Sequence, residues 1–398
     1  MHFIYVIILC GRCFMKILIT TDTYRPTING VVTSIESLKK ALNRLGHDVR
    51  ILTFSDSFNS KKEEDIYYMG SLGAGKFYPD ARMNKLFYNR FYEDIMEWKP
   101  DIVHSQTEFT MFIQARRIAK DLDIPLLHTY HTVYEDYTHY FSLNKKIGKE
   151  LAKQFTKQII RFTDGVIVPT KKIYNLLKDY NIHEEIYVVP TGINVQKLSE
   201  CDDFDIRSGY KIPKDKHIIL FLGRIGKEKN ITEILNYLEN IERDDIVFII
   251  AGAGPFLTEL KEIGLNSKIK NRIIFTGMID SSKVGNFYSQ ADVFVSASTS
   301  ETQGLTFIEA MACSTPIICR HDDCLEGVLI DGKTGFGYDT EEEFIEYLNR
   351  ILDNEELRCE MGRNCKRLVD ENYTEDSFAN KIEKIYKKVI EEYAKSIQ

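Results

Sequence analysis

No stretch of this chain approaches the ~18 consecutive apolar residues of a membrane-crossing helix, so any contact with a bilayer is expected to be peripheral. Proline is scarce, nine in 398 residues, and no low-complexity tract or short repeat breaks the sequence. Collagenous, mucin-like and mostly disordered architectures are thereby excluded. An excess of positive charge is missing too: the net charge of −7 argues against a general nucleic-acid binder. Paired metal-ligand spacing is absent among the eight cysteines, Cys10, Cys13, Cys201, Cys313, Cys319, Cys324, Cys359 and Cys365, which read as reduced cytoplasmic thiols. Two Asp-x-Asp pairs occur, Asp121 with Asp123 and Asp203 with Asp205, but one precedes a strand and the other lies in a linker. No metal site is expected.

What is present is a globular composition, 43% hydrophobic and 28% charged, in a chain long enough for two or three domains of roughly 150 residues. The charge is unevenly spread. Residues 1–200 carry 27 Lys and Arg against 23 Asp and Glu, and residues 201–398 carry 25 against 36, so the halves are +4 and −11. Residues 1–14 hold an apolar run, Phe3 to Leu9, with no preceding basic residue and no small-residue cleavage site. They are expected to be an upstream extension, with translation starting at Met15, where a strand pattern begins.

From Lys16 short apolar runs alternate with amphipathic stretches, the pattern of parallel strands covered by helices. Strands are expected at Ile17 to Thr20, Asp48 to Phe54, Asp101 to His104, Pro125 to Thr129, Gly165 to Val168 and Tyr187 to Val189, with a helix from Val31 to Leu45. The polar stretch Lys197 to Lys216 reads as a linker. The pattern restarts at His217 to Leu222, Ile246 to Ala251, Arg272 to Phe275, Asp292 to Ser296 and Pro316 to Cys319. An α/β protein follows, with two Rossmann-like doubly wound domains facing a cleft and ligands beyond the carboxyl ends of the strands. The domains are expected at 15–200 and 201–375, with a helix at 376–398 returning to the first.

The strongest motif is Ser300-Glu301-Thr302-Gln303-Gly304-Leu305-Thr306-Phe307-Ile308-Glu309-Ala310-Met311-Ala312. It sets two carboxylates eight residues apart across a strand-to-helix turn. A helix starting near Gly304 would offer free N–H groups to a diphosphate or sugar hydroxyls, with Glu309 a turn further on to accept from a ribose diol. Phe221-Leu-Gly-Arg224-Ile-Gly-Lys227-Glu-Lys229-Asn230 follows a strand with a cluster of cations. Ala251-Gly252-Ala-Gly254-Pro255, Thr276-Gly-Met278-Ile279-Asp280, Asn29-Gly30-Val-Val32 and His128-Thr-Tyr-His131 occupy other strand ends.

In this order these motifs resemble the retaining GT-B glycosyltransferases of family 4, and the resemblance runs over essentially the whole chain from Met15. It implies that Arg224 and Lys229 bind the donor diphosphate and balance its charge, and that Glu301 holds sugar hydroxyls. His131 would meet the donor sugar near the reacting carbon. Gly30, Gly252, Met278, Ile279, Gln303, Gly304, Leu305, Thr306 and Glu309 would line the donor site. The first domain would take the acceptor and face a membrane; the second would bind the nucleotide sugar. Leu127 to Tyr140 is similar, within the family, to bacterial diacylglycerol glucosyltransferases. That implies UDP-glucose as donor, 1,2-diacylglycerol as acceptor and an α-linked glucosyl lipid as product, with no cofactor.

Leu143 to Phe162 supports a membrane partner independently. Leu143, Ile147, Leu151, Phe155, Ile159 and Phe162 fall on one helical face and Lys145, Lys146, Lys149, Lys153 and Lys157 on the other, with Arg161 at the boundary. Such a helix suits an anionic membrane surface, and the expected location is the inner face of the cell membrane. A core helix with a solvated basic face has the same pattern. Aromatic and basic residues also interleave over Lys76 to Tyr78, Arg82 and Lys85 to Tyr92. Rival readings are another glycolipid or polysaccharide acceptor, a nucleotide-sugar epimerase, which would need no Arg224 and Lys229 pair, and a non-catalytic sugar-nucleotide sensor.

Overall fold

The computed structural model describes residues 14–27, 29–73, 82–83, 90–133, 135, 145–200 and 202–397. Cys10, Cys13, Cys201, Leu143 and the aromatic-basic clusters at 76–78 and 85–88 lie outside them, as do the side chains of Arg82 and Lys145. The chain divides into two compact units, one running to Gly192 and resuming at Glu375, the other spanning Ile193–Thr374.

The first unit is built on an eight-stranded sheet. Its strands are β1 (Lys16–Thr20), β2 (Asp48–Phe54), β3 (Lys61–Glu63), β4 (Ile66–Met69), β7 (Ile102–Ser105), β8 (Leu126–Thr129), β9 (Gly165–Val168) and β10 (Ile186–Val188). A separate ribbon pairs β5 (Leu72–Gly73) with β6 (Arg82–Met83). The sheet order is β10-β9-β8-β7-β1-β2-β4-β3, parallel except for the edge strand β3. Strands such as Ile-Val-His-Ser and Gly-Val-Ile-Val are buried throughout, as expected of a parallel sheet covered on both faces. Helices α1 (Gly30–Arg44), α2 (Thr110–Leu122) and α3 (Lys145–Ile160) are among its cover. Asn29 caps α1 by accepting from Val32 N at 2.9 Å, a contact worth about 1 kcal/mol.

The C-terminal helix, Glu375–Ser396, belongs to this unit. Its Phe378, Ile382, Tyr386 and Val389 share one buried cluster with Val32, Ile35 and Leu38 of α1. Arg44 at the end of α1 holds Glu375 and Asp376 at 3.1 and 2.6 Å.

The second unit carries β11 (His217–Leu222), β12 (Ile246–Ala251), β13 (Ile273–Gly277), β14 (Val293–Ser296), β15 (Ile317–Arg320) and β16 (Gly335–Tyr338). They form one parallel sheet in the order β13-β12-β11-β14-β15-β16. Helix α4 (Leu305–Ala312) follows β14.

The expected seam after Glu200 needs correction, because the divide falls at Gly192 and Ile193. The presumed linker instead holds helices Val195–Ser199 and Ile206–Tyr210. Asp205 caps the second of these, and Ile206 is fully buried. Helices of five residues bury too few apolar side chains to show a period, so the segment imitates a linker.

Both sheets reverse their winding beside the first strand. The reversals lie between β11 and β14 in one unit and between β1 and β7 in the other, and crevices outside such points are where α/β sheets bind ligands.

Candidate active site

In the second unit, the loops leaving β11 and β14 flank the reversal and are joined by an ion pair. Lys229 Nζ meets Glu301 Oε1, with both side chains mostly sheltered from water. The Lys229 loop is held from behind. Asn230, at φ +50°, closes the turn Lys227–Lys229 and donates to Glu233 Oε2 at 2.7 Å. Glu233 in turn accepts from Arg320 at 3.0 Å and from the Tyr338 hydroxyl at 3.1 Å. Arg224 is half-exposed, its Nη1 3.7 Å from Glu228. Lys227, the third cation, is engaged by Glu259 at 2.9 Å and lies over the Phe256 ring.

The glycine turn after β12 buttresses the Arg224 loop. Gly252 sits at φ +133°, and a Cβ there would stand 1.9 Å from the carbonyl oxygen of Gly223. That absence of a side chain lets the two loops bond backbone to backbone. Gly223 N donates to Ala251 O at 3.0 Å and Ile225 N to Ala253 O at 2.9 Å. Beyond β13, Met278 is 76% exposed whereas Ile279 packs against the core.

Gly304, at φ +73°, turns the chain into α4, and a Cβ there would lie 2.5 Å from the Phe307 ring. The first-turn N–H groups of α4, from Leu305 and Thr306, lack acceptors within the helix. Gln303 is buried just before the turn. Glu309 lies one turn into α4, where Tyr288 Oη donates to its Oε2 at 3.0 Å. Burial pushes the Glu309 carboxyl up to about 7, against the opposing pull of that hydrogen bond and of Lys197.

In the first unit, Gly30 opens α1 immediately after the Asn29 cap. Asp22, just past β1, accepts from Thr107 Oγ1 at 2.6 Å, from Met111 N at 3.0 Å and from Phe109 N at 3.3 Å. It thereby caps α2, and burial raises its carboxyl to about 6 despite these bonds. Past β8, His131 places Nε2 2.9 Å from Oε1 of Gln106. Burial, with His128 close by, drives the His131 imidazole down to about 3. His128 is buried, its Nε2 3.3 Å from Glu108 and its ring edge against Phe112. His104 bridges the Tyr386 hydroxyl and Thr129 Oγ1, each at 2.7 Å. Asp22, His104, Gln106 and Tyr288 were not singled out from the sequence. Among the described residues no three His, Cys, Asp or Glu side chains gather as metal ligands.

Residues 28–197 match the family described as Glycosyltransferase Family 4, and residues 202–368 match Glycosyl transferases group 1. The chain belongs to glycosyltransferase family 4. It is 37% identical over 332 residues to the alpha-monoglucosyldiacylglycerol synthase of Streptococcus pneumoniae, covering 81% of this chain and 75% of that one. To the protein of the same name from Acholeplasma laidlawii it is 33% identical over 398 residues, 96% of this chain and 99% of the relative. Its fold matches sucrose-phosphate synthase from Thermosynechococcus elongatus with a TM-score of 0.74 at 19% identity, over 94% and 99% of the two chains. The Anabaena protein HepE, solved with UDP-glucose, gives 0.70 at 14% identity over 93% and 99%. The glycosyltransferase is therefore GT-B in architecture.

Helix α3 of this glycosyltransferase is turned differently from the expected two-faced arrangement. Gly148, Ala152, Thr156, Ile159 and Ile160 are buried, and Phe155 and Phe162 pack partly against the core. Ile147 and Leu151 are each 56% exposed, so the apolar stripe splits between core and solvent. Phe109 and Ile113 of the neighbouring α2 region are exposed as well, and the Phe109 ring stacks on Phe155 at 5.9 Å. Lys146 and Arg161 are exposed, Lys153 and Lys157 half-buried, and Lys149 pairs with Glu135 at 3.3 Å. No helix among the described residues is long and apolar enough to cross a membrane.

Proposed function

We propose that this glycosyltransferase moves glucose from UDP-glucose to the free hydroxyl of 1,2-diacylglycerol with retention of configuration, forming alpha-monoglucosyldiacylglycerol. The observation that carries the reading is the Lys229–Glu301 pair at the reversal of the second sheet, in a chain 37% identical to an enzyme of that name. Arg224 and Lys229 take the charge of the donor diphosphate, which grows on the leaving oxygen as the glycosidic bond breaks. Glu301 passes from holding Lys229 to accepting glucose hydroxyls. Glu309 accepts from the ribose diol; its ionisation near pH 7 means donor affinity rises as pH increases through that value. Gly30, the backbone at Gln303 to Thr306, the Gly252 turn and the Met278–Ile279 loop complete the donor contacts. His131, neutral, stands by the glucose. The sugar passes through an oxocarbenium-like state, the acceptor hydroxyl enters on the face the phosphate leaves, and that phosphate takes the acceptor proton.

Labelled UDP-glucose with diacylglycerol in anionic vesicles tests the reading, the lipid product and its anomeric configuration being identified by NMR. Free glucose without glucosyl lipid, or a β-anomer, overturns it. With Arg224 and Lys229 supplying the cations, an EDTA-treated enzyme is expected to keep most of its rate. Complete loss restored by magnesium or manganese would refute that part.

Docking to the inner face of the cell membrane is proposed through α3. Exposed Ile147, Leu151, Phe109 and Ile113 beside a basic helix offer both insertion and attraction to anionic lipid. From Lys145 to Arg161 there are six basic residues and one acid, Glu150. Each cation near such a surface contributes roughly 1 kcal/mol, screened by salt. Replacing Lys146, Lys153 and Lys157 by Glu is expected to reduce sedimentation with anionic vesicles at least tenfold at low salt, with UDP-glucose affinity unchanged. Undiminished sedimentation would show α3 to be ordinary solvated structure.

A further inference from the structure

β7 and β8 lie side by side in parallel, with Val103 opposite Leu126, His104 opposite Leu127 and Ser105 opposite His128. Beyond that ladder the pairing continues through side chains. His104 Nε2 reaches Thr129 Oγ1 at 2.7 Å, and two residues later Gln106 Oε1 reaches His131 Nε2 at 2.9 Å. Residues two apart on a strand share a face, so His104-x-Gln106 on one chain segment laces Thr129-x-His131 on the other. The lace is tied at its far end, where His104 Nδ1 meets the Tyr386 hydroxyl.

Gln106 is only 2% exposed, yet its Nε2 has no hydrogen-bond partner. A buried amide with an unmatched NH2 is an unfavourable way to fill space, and an apolar side chain of equal volume would avoid it. What the amide supplies that an apolar group cannot is the acceptor Oε1. With Oε1 facing the ring as it does here, the amide accepts, and the imidazole then carries its proton on Nε2. A carboxylate in the same place would also fix the ring, but it would favour the imidazolium.

We infer that Gln106 is a positioning residue that holds His131 as the neutral, Nε2-protonated imidazole beside the donor sugar. The inference rests on the reading of His131 as a sugar contact. Its chemical logic is the positive charge that develops at the anomeric carbon when the glycosidic bond breaks. An imidazolium there would oppose that charge, whereas an amide acceptor orients the ring without adding a proton. Of the ionisable groups around this ring, His128 opposes its protonation, His104 is itself held down by burial and by the neighbouring histidines, and Glu108 is turned to His128.

Two measurements test it. Nitrogen-15 NMR of histidine-labelled enzyme, with the His131 signal assigned by its loss in His131→Asn, is expected to show an Nε2–H tautomer that does not titrate between pH 5.5 and 8.5. An Nδ1–H ring, or one titrating near 6.5, overturns the proposal, and neither result depends on activity. In turnover, Gln106→Met is expected to lower kcat 10- to 100-fold with the KM for UDP-glucose within threefold. Gln106→Glu is expected to add an acidic limb to the pH–rate profile, activity falling as pH drops through the raised His131 pKa and recovering above it. Wild-type kcat in Gln106→Met, or a Gln106→Glu profile superimposable on wild type, overturns the proposal as well. A wild-type enzyme that makes no glucosyl lipid defeats the functional reading while leaving the tautomer result to stand or fall alone.

Discussion

Replacing Lys229 by alanine is expected to lower kcat by about 10²–10³-fold while the Kd for UDP-glucose changes by no more than about threefold. Charge on the leaving diphosphate oxygen is small in the bound donor and large in the transition state, so a cation fixed against it acts mainly on the latter. Lys229 is suited to this because Asn230, Glu233, Arg320 and Tyr338 set its loop beforehand, and little reorganisation remains for the reaction itself. Glu309→Ala should behave oppositely. A ribose contact is made equally in ground and transition states, so Kd should rise about tenfold with kcat nearly unchanged. Calorimetric titration with UDP-glucose and initial rates separate the two. Equal losses of affinity in both variants would sink this division of roles. Lys229→Ala also removes one ion pair of Glu301, so a melting curve must accompany the kinetics.

Gly252→Ala is expected to destabilise the second unit by about 2–6 kcal/mol, combining the strain of φ +133° with a methyl 1.9 Å from the Gly223 carbonyl oxygen. Neither partner can yield cheaply, since both are backbone. Gly277→Ala is the control. Its φ is +69° and nothing lies within 4 Å of the added methyl, so only the left-handed backbone costs, roughly 1–2 kcal/mol. Thermal melting should place Gly252→Ala far below Gly277→Ala, with donor binding lost first as the Gly223–Ile225 loop is displaced. Similar melting of both variants would show that the two loops can separate freely.

Much of the fold was legible because buried parallel strands are short apolar runs. Asp48–Phe54, Gly165–Val168, His217–Leu222 and Ile246–Ala251 occur where the hydrophobic pattern puts them. The edge strands Lys61–Glu63 and Gly335–Tyr338 were not read, since one is wholly charged and exposed and the other half glycine. At the site, Arg224, Lys229 and Glu301 stood out as charged residues past strand ends, and Glu309 by its spacing of eight residues from Glu301 across a strand-to-helix turn. Gln106 and His104 did not. Their meaning lies in partners 25 residues away across two strands, a separation at which a single sequence carries no local signal. The rotation of α3 was hidden for a related reason: periodicity shows that a stripe exists, but not that the small residues Gly148 and Ala152 would be on the buried side.

The C-terminal helix gives the molecule an unusual order of completion. The stretch Ile193–Thr374 is one uninterrupted segment, and its two core clusters draw on no residue outside it. The first unit draws part of its core from a segment that lies beyond the second. Ile35 and Leu38 of α1 lack Phe378, Ile382 and Val389 as cluster neighbours, and His104 lacks its Tyr386 partner, until Glu375–Ser396 has been made. The first unit to be started is thus the last to be completed. Loss of Glu375–Ser396 would strike the unit that was made earliest, and with it the strand ends that orient His131.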